Sequence, residues 1–208
     1  RRWEILEPLA NADFVRLWVA NGLWWQAMWM EMLITGWLVL QLTDSAWWVA
    51  VIGFYRSIPL LFIGPIGSMV TDRYLRRRLL VLFQTSNALG VLVLTLFFWS
   101  GWLTYWHIAI FSLLRGCLWA LDWPTRRAIV PDLVGKERVV DAMVLENVVQ
   151  NITRIAGPLG AGFAVERMGI MGALVILSVV AVASALVLVG IRSDSRAPVG
   201  GGGVTEAL

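Results

Sequence analysis

Long apolar runs alternate with short charged segments along the whole chain. No charged residue occurs among the 28 residues from Leu79 to Trp106 or among the 23 from Gly169 to Ile191. A helix that crosses about 30 Å of hydrocarbon needs about 20 predominantly apolar residues. The pattern therefore predicts an all-α membrane protein whose transmembrane helices form one bundle. Six transmembrane helices are expected, at residues 14–42, 46–71, 79–99, 103–121, 139–165 and 169–191.

The predicted bundle leaves a polar segment at each end of the chain. We interpret residues 1–13 as a cytoplasmic N-terminal segment, residues 14–191 as the six-helix transmembrane bundle, and residues 192–208 as the start of a flexible cytoplasmic linker. Four consecutive glycines in the last segment are typical of such linkers. Because the first residue is Arg rather than Met, we expect the sequence to be a fragment.

The distribution of Lys and Arg predicts the orientation of the bundle. Thirteen of the 17 cationic residues fall on the side of the N-terminus, one (Arg167) falls on the opposite side, and three lie within spans. Lys and Arg accumulate in cytoplasmic loops. Both termini are therefore expected in the cytoplasm of a multi-pass protein of the cell (inner or plasma) membrane. The opposite side is expected to carry an interfacial aromatic belt of Trp47, Trp48, Trp99, Trp102 and Trp106.

Composition excludes an ordinary soluble domain. The chain is 59% hydrophobic and 15% charged, whereas soluble domains average about 45–50% apolar and about 25% charged residues. The net charge of +3 is explained by the cytoplasmic loops rather than by nucleic-acid binding. The expected partner is the lipid bilayer, and no nucleic acid, cofactor or metal is expected.

Polar, aromatic and Met side chains recur at helical spacing on one face of three predicted spans. They are Asn21, Trp24, Met28, Glu31 and Thr35 on span one, Ser112, Arg115, Trp119 and Asp122 on span four, and Glu146, Asn147, Gln150 and Arg154 on span five. A charge at bilayer depth costs at least about 2.5–3.5 kcal/mol, so these charges are expected to face the protein interior or water. The three faces predict a central polar cavity.

Two interpretations of the charges within the spans stay open. One is that Glu31, Arg115 and Arg154 form paired structural bridges. The other is that Glu31 is a protonation switch whose ionisation a neighbouring arginine tunes. Arg56 has no carboxylate partner on its own helix and is interpreted as structural. The spacing alone does not determine whether Glu31 and Arg115 meet.

The loop after the second span reads GSMVTDRYLRRR, from Gly67 to Arg78. It resembles the signature loop of the major facilitator superfamily, G-x-x-x-D-R-x-G-R-R, and occupies the expected place. The matching residues are Asp72, Arg73, Arg76 and Arg77. Ser68 and Leu75 stand where that loop usually has glycines. The resemblance implies a cytoplasmic gate, in which the Asp forms ion pairs across the gate.

The fifth span carries a second element, GPLGAG, from Gly157 to Gly162. It is similar to the G-P-x-x-G-G element of drug/proton antiporters in the same superfamily. Its candidate helix-packing residues are Gly157, Pro158, Gly160 and Gly162, because small residues allow close helix approach and Pro bends a helix. Segments such as IPLLFIGPIG and PTRRAIVPDLV resemble the branch that includes enterobactin exporters and related drug-efflux permeases.

The resemblance implies that the chain is the N-terminal bundle of a transporter built from two six-helix halves. The implied activity is proton-coupled efflux of a small amphipathic molecule such as a drug or siderophore. Glu31 and Arg115 are the candidates for proton coupling, with Glu31 as the proton acceptor. The implied partners are a small-molecule substrate, protons and the missing C-terminal six-helix half.

Two other classes of protein compete with this interpretation. An intramembrane serine protease needs a nucleophilic Ser, and a metalloprotease needs a His-Glu-x-x-His motif. The sequence contains neither Gly-x-Ser-x-Gly nor His-Glu-x-x-His, so we expect no enzyme. The remaining alternative is a self-contained six-helix protein that works as a homodimeric half-transporter or channel.

Overall fold

The protein is described by a computed structural model, which covers the backbone of residues 4–73 and 75–191 and the side chains of residues 6–65 and 75–191. Within these residues the chain is helical and contains no strand, so the all-α prediction is confirmed. The α-helices are α1 (Ala12–Thr43), α2 (Ala46–Arg73), α3 (Arg76–Trp99), α4 (Tyr105–Val134) and α5 (Val139–Val189). Short 3₁₀ helices occur at Glu4–Ala10 and Lys136–Arg138.

The longest element, α5, consists of two helices joined at a break. Gly169 has φ 70° and ψ 179°, a conformation that is not helical and that favours glycine. The break falls at the first residue of the sixth predicted span. An unbroken helix of 51 residues would be about 77 Å long, more than twice the roughly 30 Å of a bilayer core. The geometry of α5 therefore fits two crossings.

Three segments of the described residues are long and apolar enough to cross a membrane, and they are Ala46–Pro65, Arg76–Trp99 and Lys136–Val189. The helices α1 and α4 are longer than a bilayer requires, but charged residues and tryptophans lower their apolar character. Some of those residues, Glu31 and Arg115 among them, belong to the polar faces that the sequence assigns to a cavity. The count of six crossings stays a prediction.

The end of α4 differs from the sequence prediction. The fourth span is predicted to end at Leu121, whereas the helix continues through Pro124 and Pro131 to Val134. The hydroxyl of Thr125 donates a hydrogen bond of 2.8 Å to the carbonyl of Leu121. Neighbouring helices and such Ser or Thr side chains allow prolines inside membrane helices. The extension carries polar residues of the expected loop into the bundle.

The outer surface of the bundle is apolar and carries tryptophans at one end. Leu61 and Phe62 on α2 are 74% and 71% exposed. Trp47, Trp99 and Trp102 are 72–76% exposed and lie where α2 begins and α3 ends. Exposed apolar surface of this extent needs a nonpolar surrounding, and Trp is enriched at membrane–water interfaces. These surfaces agree with a membrane protein.

Small residues set the distance between α1 and α5. A Cβ placed on Gly22 would lie 3.1 Å from a methyl group of Val149, and one placed on Gly157 would lie 2.5 Å from the Cβ of Trp29. On Gly160 it would contact only the side-chain amide of Gln26, at 3.6 Å. On Gly162 it would meet nothing within 4 Å. Pro158 lies within α5. Of the four packing candidates, Gly157 lies at the closest approach.

We expect the substitution Gly157→Ala to destabilise the bundle by about 1–3 kcal/mol, the range of overpacked sites. The added methyl group would overlap the Cβ of Trp29, which the helix backbone holds in place. Thermal unfolding of the purified protein in mild detergent measures the effect. Gly162→Ala is the matched control, because the space around Gly162 is open. Equal melting temperatures for the two variants would contradict the close approach of α1 and α5.

Candidate functional site

A buried carboxylate on α1 joins three helices. Glu31 is 1% exposed. Nη2 of Arg56, on α2, donates a hydrogen bond of 2.8 Å to its Oε1. Nε of Arg115, on α4, donates one of 2.9 Å to its Oε2. Charge-assisted hydrogen bonds of this length are about twice as strong as neutral ones. We call Glu31, Arg56 and Arg115 the Glu31 triad.

A second buried cluster surrounds Arg126 on α4. Its Nε donates to Asp122, its Nη1 donates to Oδ1 of Asn21, and its Nη2 donates to Oε1 of Gln84 at 2.8 Å. Gln84 in turn donates to the hydroxyl of Ser184, which donates to a backbone carbonyl of α1 at 2.8 Å. We call these five residues the Arg126 network, which connects α1, α3, α4 and α5.

Trp24 connects the two clusters. Its ring is 1% exposed and lies 5.3 Å from the guanidinium carbon of Arg115 and 4.5 Å from that of Arg126. Arginines at such distances from an indole are attracted by its ring quadrupole, by about 2 kcal/mol or more when water is excluded. The Glu31 triad and the Arg126 network therefore form one continuous buried layer.

A cavity of about 250 Å³ lies beside this layer. The side chains that line it come from α1, α4 and α5, and include Asn21, Trp25, Trp123, Arg126, Arg127 and Glu146. Oε1 of Glu146 accepts a hydrogen bond of 2.9 Å from Nδ2 of Asn21. The guanidinium of Arg127 lies 4.6 Å from the centre of the Trp123 ring. The cavity thus combines aromatic surface with charged and amide groups.

The structure brings only part of the predicted cavity set together. Asn21, Glu146, Asn147 and Gln150 line the cavity. The other members of the set lie elsewhere in the described bundle: Trp24, Ser112 and Thr35 are buried, Met28 and Trp119 are half-buried, and Arg154 is exposed. The hydroxyl of Thr35 donates to the carbonyl of Glu31 at 2.7 Å. Arg154 lies 5.4 Å from the ring of Trp29.

The gate candidates are described in part. The side chains of Asp72 and Arg73 lie outside the described residues. Nη1 of Arg76 donates to the carbonyl of Ala128 at 2.7 Å and to the carboxylate of Asp132 at 2.8 Å. Nη2 of Arg77 donates to the carbonyl of Val189 at 3.2 Å. The beginning of α3 is thereby bonded to the ends of α4 and α5.

Several buried polar residues are missing from the sequence prediction. Gln84 and Asn87 lie three residues apart on α3 and are 1% and 3% exposed. Two amide side chains three residues apart in an otherwise apolar span are the signal from which the sequence could have predicted them. Arg126 falls in a loop in the sequence prediction, because the fourth span is predicted to end at Leu121. Ser184 carries no signal, since isolated serines are common in membrane helices.

The fold and the site define a class of protein. Apolar helices that enclose ionisable side chains beside a cavity are typical of membrane transport proteins, where intramembrane charges mark substrate and ion pathways. Comparison with known families agrees, since the family of transmembrane secretion effectors matches residues 4–199. The chain belongs to this family, a group of transporters in the major facilitator superfamily, and is not an enzyme. The superfamily that the motifs predict is confirmed.

Two curated relatives are transporters of the same superfamily. The chain is 30% identical to the staphyloferrin A transporter of Staphylococcus aureus (strain NCTC 8325 / PS 47) over 135 residues, which is 64% of this chain and 34% of that protein. It is 20% identical over 114 residues to the uncharacterized MFS-type transporter YfiS of Bacillus subtilis (strain 168), covering 55% of this chain and 26% of that protein. The match thus spans about a third or less of each relative's length.

Proposed function

We propose that the chain is the N-terminal six-helix half of a secondary active transporter that exports a small amphipathic molecule, such as a drug or siderophore, in exchange for protons. The observation that carries this proposal is the cavity between α1, α4 and α5, which lies beside a buried layer of ionisable groups. Such a transporter works in the cell (inner or plasma) membrane, with both termini in the cytoplasm.

The polar surface of α5 supports a second half. Asn147, Asn151 and Arg154 are exposed along one side of this helix, and they belong to a segment apolar enough to span a membrane. Polar side chains at that depth need protein or water rather than lipid around them. A C-terminal bundle packed against this side would supply both. The partial coverage of the longer relatives agrees with this arrangement.

The Glu31 triad is proposed to couple the helices during transport. Alternating access is largely a rocking of one bundle against the other around a fixed site. Because Glu31 bonds to Arg56 and Arg115 at once, α1, α2 and α4 are held together while both bonds persist. Release of either arginine would loosen one helix from the others. Arg76 and Arg77, together with Asp72 and Arg73, are proposed to hold the cytoplasmic gate.

Transport by inside-out membrane vesicles tests the proposal. The vesicles carry either the full-length parent reading frame or residues 1–208 alone, and the probes are the fluorescent dye Hoechst 33342 and labelled staphyloferrin A. We expect the full-length protein to accumulate at least one probe when a proton gradient is imposed, and a protonophore to abolish this. Residues 1–208 alone are expected to accumulate neither probe.

Two outcomes would contradict the proposal. Accumulation by residues 1–208 together with a stable homodimer in detergent would favour the self-contained half-transporter. A full-length protein that moves neither probe with or without a gradient would reject the proposed substrate class. Vesicles without the protein measure leakage of each probe and serve as the control.

A further inference from the structure

We propose that Glu146 is the group that binds the transported proton in this half of the protein, an inference that rests on the proposed proton-coupled transport. Its carboxylate lines the cavity between α1, α4 and α5. Within the part of the chain that the structure describes, Glu146 accepts one hydrogen bond, at Oε1 from Nδ2 of Asn21 at 2.9 Å. Among the described residues, no Lys or Arg forms an ion pair with Glu146.

The two carboxylates of the buried layer both form ion pairs with arginines. Both oxygens of Glu31 accept hydrogen bonds from guanidinium groups, at 2.8 and 2.9 Å. Asp122 is 2% exposed and accepts a hydrogen bond from Nε of Arg126. A proton on either group would weaken an ion pair and leave a buried guanidinium with less compensation, which is costly. Glu146 can take up a proton without breaking an ion pair, so we assign to it the role of proton acceptor that the resemblance implies for Glu31.

The charges that face Glu146 come from one helix. In the cavity, α4 presents Arg126 and Arg127, α1 presents the uncharged Asn21 and Trp25, and α5 adds the amides of its own Asn147 and Gln150. Arg126 is compensated by Asp122. Glu146 is therefore the acidic group of the cavity wall in the described part of the chain.

The buried layer and Glu146 together carry no net charge when Glu146 is ionised. The guanidinium groups of Arg56, Arg115 and Arg126 are then matched by three carboxylates, those of Glu31, Asp122 and Glu146. Protonation of Glu146 changes the net charge of these six groups to +1. Asn21 transmits this change, because its Oδ1 accepts a hydrogen bond from Arg126 while its Nδ2 donates to Glu146. Asn21 is thus a positioning residue between the proton site and the Arg126 network.

Infrared spectroscopy of the purified full-length protein in nanodiscs tests proton binding without any transport substrate. A pH titration follows the carbonyl stretch of protonated carboxyl groups. We expect Glu146→Gln to lose one titrating carboxyl component of the wild-type spectrum, and Glu146→Asp to keep a component at a shifted frequency. Glu137→Gln, at an exposed position of the loop before α5, is the matched control and retains the Glu146 component. Circular dichroism and gel filtration establish that each variant is folded.

A wild-type component that persists unchanged in folded Glu146→Gln would overturn the proposal, as would its loss in Glu31→Gln or Asp122→Asn while Glu146→Gln keeps it.

The vesicle assay separates this result from a failure of the proposed function. Glu146→Gln is expected to reduce gradient-driven accumulation of the probe to the level seen with a protonophore, while exchange of the probe down its own gradient continues. A wild-type protein that binds the proton at Glu146 but moves no probe would leave the proton site standing and reject export.

Discussion

Replacing Glu31 by alanine is expected to destabilise the protein more than any other single change in the buried layer. The substitution leaves the guanidinium groups of Arg56 and Arg115 close together without their carboxylate, and their side chains are only 13% and 5% exposed. Removal of one partner from a buried ion pair costs about 3–5 kcal/mol, and here two arginines lose their carboxylate at once. Thermal unfolding in mild detergent, followed by gel filtration, measures the loss of folded protein.

The size of the effect should depend on which member of the triad is removed. Arg115→Met leaves a balanced pair of Glu31 and Arg56, so we expect a smaller loss of stability than in Glu31→Ala. Arg138→Gln breaks the ion pair between Arg138 and Glu7. Because both side chains of this pair are about half exposed, the substitution should change the melting temperature little. If Arg115→Met proved more harmful than Glu31→Ala, the triad would not be held together by its carboxylate.

Helical spacing predicts which faces of α1 and α4 turn inward, and Glu31 and Arg115 do lie inside the bundle. The spacing within one helix carries no information on the height and rotation of its neighbours. For this reason the sequence leaves the meeting of Glu31 and Arg115 open and gives Arg56 no partner. The structure supplies the missing relation, because α2 packs along α4 and brings Arg56 to the carboxylate.

Proline explains the main error in the predicted elements. The predicted fourth span ends at Leu121, three residues before Pro124, and a proline lacks the amide hydrogen that continues a helix. Within the bundle α4 nevertheless continues to Val134. The misplaced end assigns Arg126 to a cytoplasmic loop, so its hydrogen bonds with Asn21, Asp122 and Gln84 are missing from the prediction. Asn21 and Asp122 themselves are predicted on the polar faces of spans one and four.

Gly116→Ala is the second substitution for which we expect a large effect. A Cβ placed on Gly116 would lie 2.2 Å from the backbone carbonyl oxygen of Arg56 and 3.0 Å from Cγ of Pro59. A backbone atom cannot rotate away as a side chain does, so α2 and α4 must separate. Overpacking costs about 1–3 kcal/mol, and this contact belongs at the upper end of that range. Gly116→Val should be worse, and thermal unfolding of both variants checks the order.

The same substitution should disturb the Glu31 triad, because Gly116 follows Arg115 and touches the backbone of Arg56. Separation of α2 from α4 would lengthen at least one of the two hydrogen bonds to Glu31. Gly53→Ala, also on α2 but with nothing within 4 Å of the added Cβ, is the matched control and is expected to unfold at or slightly above the wild-type temperature, because Ala favours a helix more than Gly does. Equal behaviour of Gly116→Ala and Gly53→Ala would show that α2 and α4 are not in backbone contact at this point. A large difference would instead link the Glu31 triad to helix packing. The absence of a side chain at Gly116 would then be what allows α2 and α4 to approach closely enough for Arg56 and Arg115 to reach Glu31.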